Sequence, residues 1–265
     1  MIRVLALLGV VLMLTGCAGD AAPQAGGSPG GSVIQWERDP DHIVFRAQVV
    51  GGDEEDAFRR RNEIPLCTVF GDNRVVWTNE LGGWETQVLI DQVDDIAIQD
   101  FISILTIARE FFNYEARADV QVPGESEPVV ETLTISVNGR THTSDSFSGW
   151  DNDYFLEVVD DCKKISGSPA LFEPQGAWLS VNEVPYNPTA PLVNWEGEAA
   201  GLSFLAMVEN DETQRWITGD NLKVLWELIR TSSPRLLFTE GPATFEIVVE
   251  VPGIHPTAPP APEAS

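Results

Sequence analysis

Positive charge is what this chain most lacks. Its 265 residues carry 41 acidic side chains against 16 basic ones, a net charge of −25, and the only lysines are Lys163, Lys164 and Lys223. A surface this acidic repels phosphate backbones and anionic headgroups, so neither nucleic acid nor a polybasic hold on a membrane is expected. It favours solubility and colloidal stability instead. Histidine is sparse: His42, His142 and His255 have no partner at metal-ligand spacing, and no His-Glu-x-x-His occurs. The three cysteines form no Cys-x-x-Cys, which leaves thioredoxin-like and zinc-ribbon roles without support. Also missing are Gly-x-Ser-x-Gly, Ser-x-x-Lys, the P-loop, Gly-x-Gly-x-x-Gly and the EF-hand loop. Carboxylates are too plentiful for any pair to stand out. No catalytic residue, metal ligand or cofactor is therefore assigned, and the reading leans away from an enzyme.

At the start, Met1-Ile2-Arg3 gives one positive charge ahead of Val4 to Leu14, eleven residues without charge or proline. That is the layout of a secretory signal, and it is too short for a bilayer, which needs about 20 apolar residues. The run ends in Leu14-Thr15-Gly16-Cys17. This resembles the lipobox of bacterial lipoproteins. The resemblance implies that residues 1–16 are a signal peptide and that the Cys17 thiol is lipidated. Cys17 would then open the mature chain, with more than one acyl chain giving stable anchoring. The membrane is thus an expected partner through the N-terminal lipid, and the protein is expected to face the periplasm or exterior. Residues 17–32 are rich in Gly, Ala, Pro and Ser and read as a flexible tether of roughly 20 Å average reach.

The folded part is expected from residue 33 as an α+β fold, an antiparallel sheet with about three packed helices. It divides into subdomains 33–168 and 169–253, followed by a disordered tail 254–265. Ile43, Phe45, Ala47 and Val49 alternate as the inner face of a strand. The charged stretch 51–62, with Asp53-Glu-Glu-Asp56 ahead of Arg59-Arg-Arg61, reads as a solvated loop or helical turn. Gly71-Asp72-Asn73 and Asn138-Gly139 are hairpin signals. Helices are predicted over 96–114, 152–165 and 221–231, and a strand over 202–208. The first helix places Ile98, Phe101, Ile102, Leu105, Ala108 and Phe112 on its apolar stripe, widened by Ile104, Ile107 and Phe111.

Outside the cytoplasm Cys67 and Cys162 are expected to pair as a disulfide, the alternative being two buried free thiols. Of eight tryptophans, Trp84, Trp150 and Trp195 sit beside glycines in predicted loops. There they could stack on a glycan or anchor a protein partner, or they could cover the end of a sheet. Ile64-Pro65 followed by Phe70-Gly71-Asp72-x-Arg74-Val75-Val76 is similar to a segment of uncharacterised bacterial lipoproteins, a resemblance that carries over no catalytic residue. The function expected is a non-enzymatic binding or interaction module at the bacterial cell envelope. The alternatives are an envelope hydrolase, which a concave pocket joining carboxylates would favour, and a purely structural envelope lipoprotein.

Overall fold

The computed structural model describes residues 34–117 and 128–263. Cys17, the signal peptide and the tether lie outside the described residues.

The chain alternates short helices with mostly antiparallel strands. Strand β1 (Ile43–Gly51) is followed by a 3-10 turn (Glu54–Asp56) and α1 (Ala57–Arg60), then β2 (Cys67–Phe70), β3 (Arg74–Gly82) and β4 (Glu85–Gln92). Next come α2 (Asp95–Ser103), a π turn (Ile104–Ala108) and a 3-10 turn (Phe111–Asn113). Strands β5 (Val129–Val137) and β6 (Arg140–Asp145), α3 (Tyr154–Lys163) and β7 (Ala170–Leu171) complete the first half. The second half runs β8 (Ala177–Glu183), β9 (Leu192–Asn194), α4 (Gly197–Ala200), α5 (Phe204–Glu209) and β10 (Arg215–Ile217). It closes with α6 (Gly219–Thr231), β11 (Leu237–Glu240) and β12 (Ala243–Glu250). The first sheet has the order β6-β5-β1-β2-β3-β4-β7, and the second β10-β8-β12-β11-β9. Among the described residues only the β9–β11 pair is parallel. Mixed helices and antiparallel-rich sheets make this an α+β fold, and among the described residues no helix is long and apolar enough to cross a membrane.

The first sheet serves two cores, one on each face. Val75 and Trp77 of β3 point to a core with Ile98 and Phe101 of α2 and Phe155 and Val159 of α3. Val76, one residue out of phase, joins Val88 in a second core with Leu222 and Leu225 of α6 and Phe245 and Ile247 of β12. Strand alternation is the cause: successive side chains leave opposite faces of the sheet. Each fully buried side chain of this size contributes about 1.5–3 kcal/mol. The expected break between residues 168 and 169 does not part the chain. Leu171 of β7 pairs with Leu89 at the edge of the first sheet, and the described residues form one compact unit.

Both hairpin turns formed where glycine and asparagine signalled them, with φ of 70° at Asn73, 53° at Asn138 and 69° at Gly139. Asp94 caps α2 by accepting from the Ala97 amide at 2.8 Å. Three expectations are corrected. In β1 a bulge between Ile43 and Phe45 breaks the alternation, so Val44 joins Phe45 and Ala47 in the first core while Ile43 packs on the second. The helix over 96–114 stops early: a π turn, with the Arg109 amide on the Ile104 carbonyl at 3.0 Å, leads to Glu110 at φ 50°. Helical phase is lost there, so Phe111 is buried and Phe112 is half exposed. Segment 202–208 contains helix α5, because Ser203 Oγ accepts from the Ala206 amide and the Glu240 carboxylate accepts from the amides of Phe204 and Leu205. Capping of these amides favours helix over strand.

The chain end is also held further than expected. Ile254 and His255 are buried, Thr257 donates to Glu250 at 2.6 Å, and the Pro260 carbonyl accepts from Trp178 Nε1 at 3.0 Å.

Candidate functional site

The site begins where β1 gives out. Gly51 and Gly52 have φ of 82° and 93°, and a Cβ on Gly51 would overlap the Pro128 carbonyl. Glycine is the residue that tolerates both conditions. The chain turns there into α1 and its arginines, which run beside β12 of the second sheet. Strand β11 pairs with β12 only over residues 243–245, which leaves the edge beyond it open. Asn62 fills the gap: its Nδ2 donates to the Ile247 carbonyl at 2.9 Å and its Oδ1 accepts from the Val249 amide at 2.8 Å.

Glu246 and Glu250 leave β12 on the face opposite Phe245, Ile247 and Val249, and both are buried. Arg59 meets Glu246 at 3.2 Å and Arg61 meets Glu250, with the Ser180 hydroxyl accepting from Arg61 at 3.2 Å. Arg59 also donates to Asp56, which holds that carboxyl below the usual carboxylate range. The segment expected as a solvated loop or helical turn does form a helical turn, and it is docked on a sheet through two buried glutamates, because buried charges must be paired.

Behind it lies Arg230, near the end of α6. Its guanidinium stands over the Trp226 ring at 4.9 Å, and Nη2 donates to the Asn62 carbonyl. Its Nε has no partner among the described residues. Burial pushes its pKa down to about 10. His255 packs edge-on to Trp226, and its Nδ1 accepts from the Val251 amide at 2.9 Å. Burial, with the Arg230 charge, pushes this imidazole down to about 3, so it is neutral. Burial at the cleft wall also raises the Glu63 carboxyl, against the pull of Arg60 and Arg230.

Two adjoining cavities of about 620 Å³ and 790 Å³ form one cleft here, sharing Val49, Arg60, Glu63, Trp84, Thr86 and Arg230. The β3–β4 hairpin brings Trp84 to the mouth and is tied to α6 by Thr86 Oγ1, which donates to the Arg230 carbonyl at 3.3 Å. Arg60 spends its Nη atoms on the carbonyls of Gly52 and Asp53. Neither Arg60, Arg230 nor Arg235 forms an ion pair among the described residues. All three line the first cavity.

Of the three loop tryptophans singled out in the sequence, only Trp84 is open to solvent, 63% exposed. Trp195 is buried, donates to the Leu202 carbonyl at 2.7 Å and stacks on Phe204. Trp150 donates to Ser144 Oγ at 2.8 Å and stacks on Tyr154 and Phe155. The three do not share a face: Trp150 packs on the first core, Trp195 lies in the second, and Trp84 stands on the cleft. Cys67 and Cys162 stand at disulfide distance, Cα to Cα 6.4 Å, closing 95 residues of chain. The three histidines are not brought together: His42 faces Glu37, and His142 is wedged against Phe111 and Phe112. Among the described residues no group of three or more His, Cys, Asp or Glu is placed to hold a metal.

Sequence reading missed the arginine clasp. Its signal was present: Glu246 and Glu250 interrupt a strand whose other residues are apolar except Thr244, at same-face positions, and a charge on a buried face requires a partner. Comparison with protein-family models, curated proteins and solved structures finds no match to this chain.

Proposed function

We propose that this chain is a lipid-anchored, extracytoplasmic binding protein of a bacterial cell envelope, and that the cleft between the arginine segment and the β3–β4 hairpin is its binding site. The anchor rests on the lipobox resemblance at Cys17. The site rests on one observation: in a chain with 41 acidic and 16 basic residues, three arginines without carboxylate partners line a cleft whose mouth carries an exposed tryptophan. The cavity volumes fall in the range of about 300–1,000 Å³ usual for small-molecule sites. An exposed aromatic beside arginine is also the composition of binding hot spots on protein surfaces. Crosslinking from the native envelope tests this reading. The wild-type chain captures a specific partner or ligand, and Trp84→Ala loses it; equal capture by both removes the cleft from the account.

One observation favours an envelope hydrolase as a second reading. The cleft gathers Asp53, Asp56 and Glu63, and the raised Glu63 carboxyl suits a general acid. Turnover of an ester or glycoside by the full chain, lost in Glu63→Gln, would support it.

A further inference from the structure

We infer that the cleft takes an anionic amphiphile: a carboxylate, phosphate or sulfonate head held by Arg230 with Arg60 and Arg235, and an apolar body lying against Phe238 and Trp84. The inference rests on the reading of the cleft as the binding site and names the ligand class for it.

The head group follows from Arg230. This side chain is 9% exposed, lines both cavities and has a buried Nε without a partner. A desolvated guanidinium with an unfilled donor is unfavourable unless an anion completes it. Arg59 and Arg61, on the β12 side, already have their buried glutamates, whereas the hydrogen bond of the Arg230 guanidinium among the described residues goes to the Asn62 carbonyl, with Glu63 near enough to act on its charge but in no ion pair with it. Arg60 and Arg235 add two guanidinium groups that form no ion pair among the described residues, although Asp56 and Glu63 lie in the same lining, and guanidinium forks match carboxylate and phosphate oxygens.

The body follows from the apolar lining. Phe238 and Ile247 are buried at 1% and 4% exposure and line the first cavity, so the cleft reaches down to the second core. Around the mouth stand Val49, Val50, Trp84 and Val129, exposed by 38%, 39%, 63% and 65%. Exposed apolar residues collected on one concavity mark a binding groove. A free inorganic anion would leave this surface uncovered. Three of the uncharged polar side chains that line the cleft are already committed. Asn62 is committed to Ile247 and Val249, Thr86 to the Arg230 carbonyl, and Ser233 Oγ accepts from the Arg235 amide.

Calorimetry on the full chain carrying Cys17→Ser, with decanoate, decanol and inorganic phosphate as separate probes, tests the inference. Decanoate is expected to bind at least about tenfold more tightly than either other probe. The double variant Arg60→Ala/Arg235→Ala, altered at the rim and not in the core, is expected to weaken decanoate by about tenfold and leave decanol unchanged. Arg230→Met is expected to erase the preference for the anion, and Trp84→Ala to weaken both chain-bearing probes alike. Decanol as tight as decanoate, phosphate alone as tight as decanoate, or a double variant indistinguishable from wild type would each overturn it. Binding of none of the three probes would overturn it too. In that case capture of an envelope partner that depends on Trp84 would still uphold the cleft as a binding site, so the two failures are distinct.

Discussion

Arg61 pairs with Glu250 across 189 residues of sequence, and that carboxylate has no exposed surface. Glu250 takes the guanidinium on one oxygen and the Thr257 hydroxyl, at 2.6 Å, on the other. The pair fixes the arginine segment on β12 and so sets one wall of the cleft. Arg61→Ala leaves a buried carboxylate unpaired and is expected to destabilise by about 3–5 kcal/mol. Arg61→Met combined with Glu250→Leu is expected to recover most of that loss, because two apolar groups of similar shape replace the pair. Urea unfolding of wild type, the single and the double variant measures both, and a single variant within about 0.5 kcal/mol of wild type contradicts the pairing.

Two tryptophans that look alike in sequence are expected to behave in opposite ways. Trp195 is 8% exposed and stacked on Phe204, so Trp195→Ala is expected to destabilise by about 3–5 kcal/mol. Trp84 is 63% exposed, so Trp84→Ala is expected to leave stability within about 0.5 kcal/mol and to act on binding alone. Denaturant midpoints of the two variants, side by side, decide this.

The Cys67–Cys162 pair closes 95 residues between β2 and α3. A loop of this length is expected to stabilise by about 4–5 kcal/mol in the chain-entropy model. Reducing agent, or Cys67→Ser with Cys162→Ser, is expected to lower the thermal midpoint of the oxidised protein substantially. Non-reducing mass spectrometry that found two free thiols in protein from its native compartment would refute the bridge.

His255 gives the fold a pH dependence of definite sign. Its folded value near 3 lies below the ordinary 6.5, so between those values the unfolded chain binds a proton that the folded chain refuses. Stability therefore rises with pH across that window and falls on acidification, by at most about 1.4 kcal/mol per pH unit for one group. Glu63, raised by burial from 4.5, acts in the opposite sense above that value. His255→Asn keeps an acceptor for the Val251 amide and removes the titration. It is expected to flatten the stability profile between pH 6.5 and 5; an unchanged slope would show that His255 is not its source.

Local chemistry made part of this fold legible. Asn138-Gly139 dictated its hairpin, and Phe155, Val158, Val159 and Cys162 recur at helical spacing and are all buried in α3. Residues 202–208 misled because a short apolar run does not distinguish strand from helix. The deciding groups were the Ser203 hydroxyl and Glu240, the latter 36 residues from the Phe204 amide that it receives. The cleft was illegible for a stronger form of the same reason. Arg230 meets Asn62 across 168 residues, and the link exists only once both sheets have formed. Of its parts, sequence reading picked out Trp84 but could not separate it from Trp195, since each lies within two residues of a glycine and they differ in what packs on them.

A photo-crosslinking residue placed at position 84 of the full chain in its native host cells tests the binding account most directly. Position 186 is the control, because Tyr186 matches Trp84 at 63% exposure and does not line the cleft. The account predicts a specific adduct at 84 that is absent at 186 and is lost when Arg60→Ala and Arg235→Ala are added. Adducts equal at both positions, or none at 84, would contradict it.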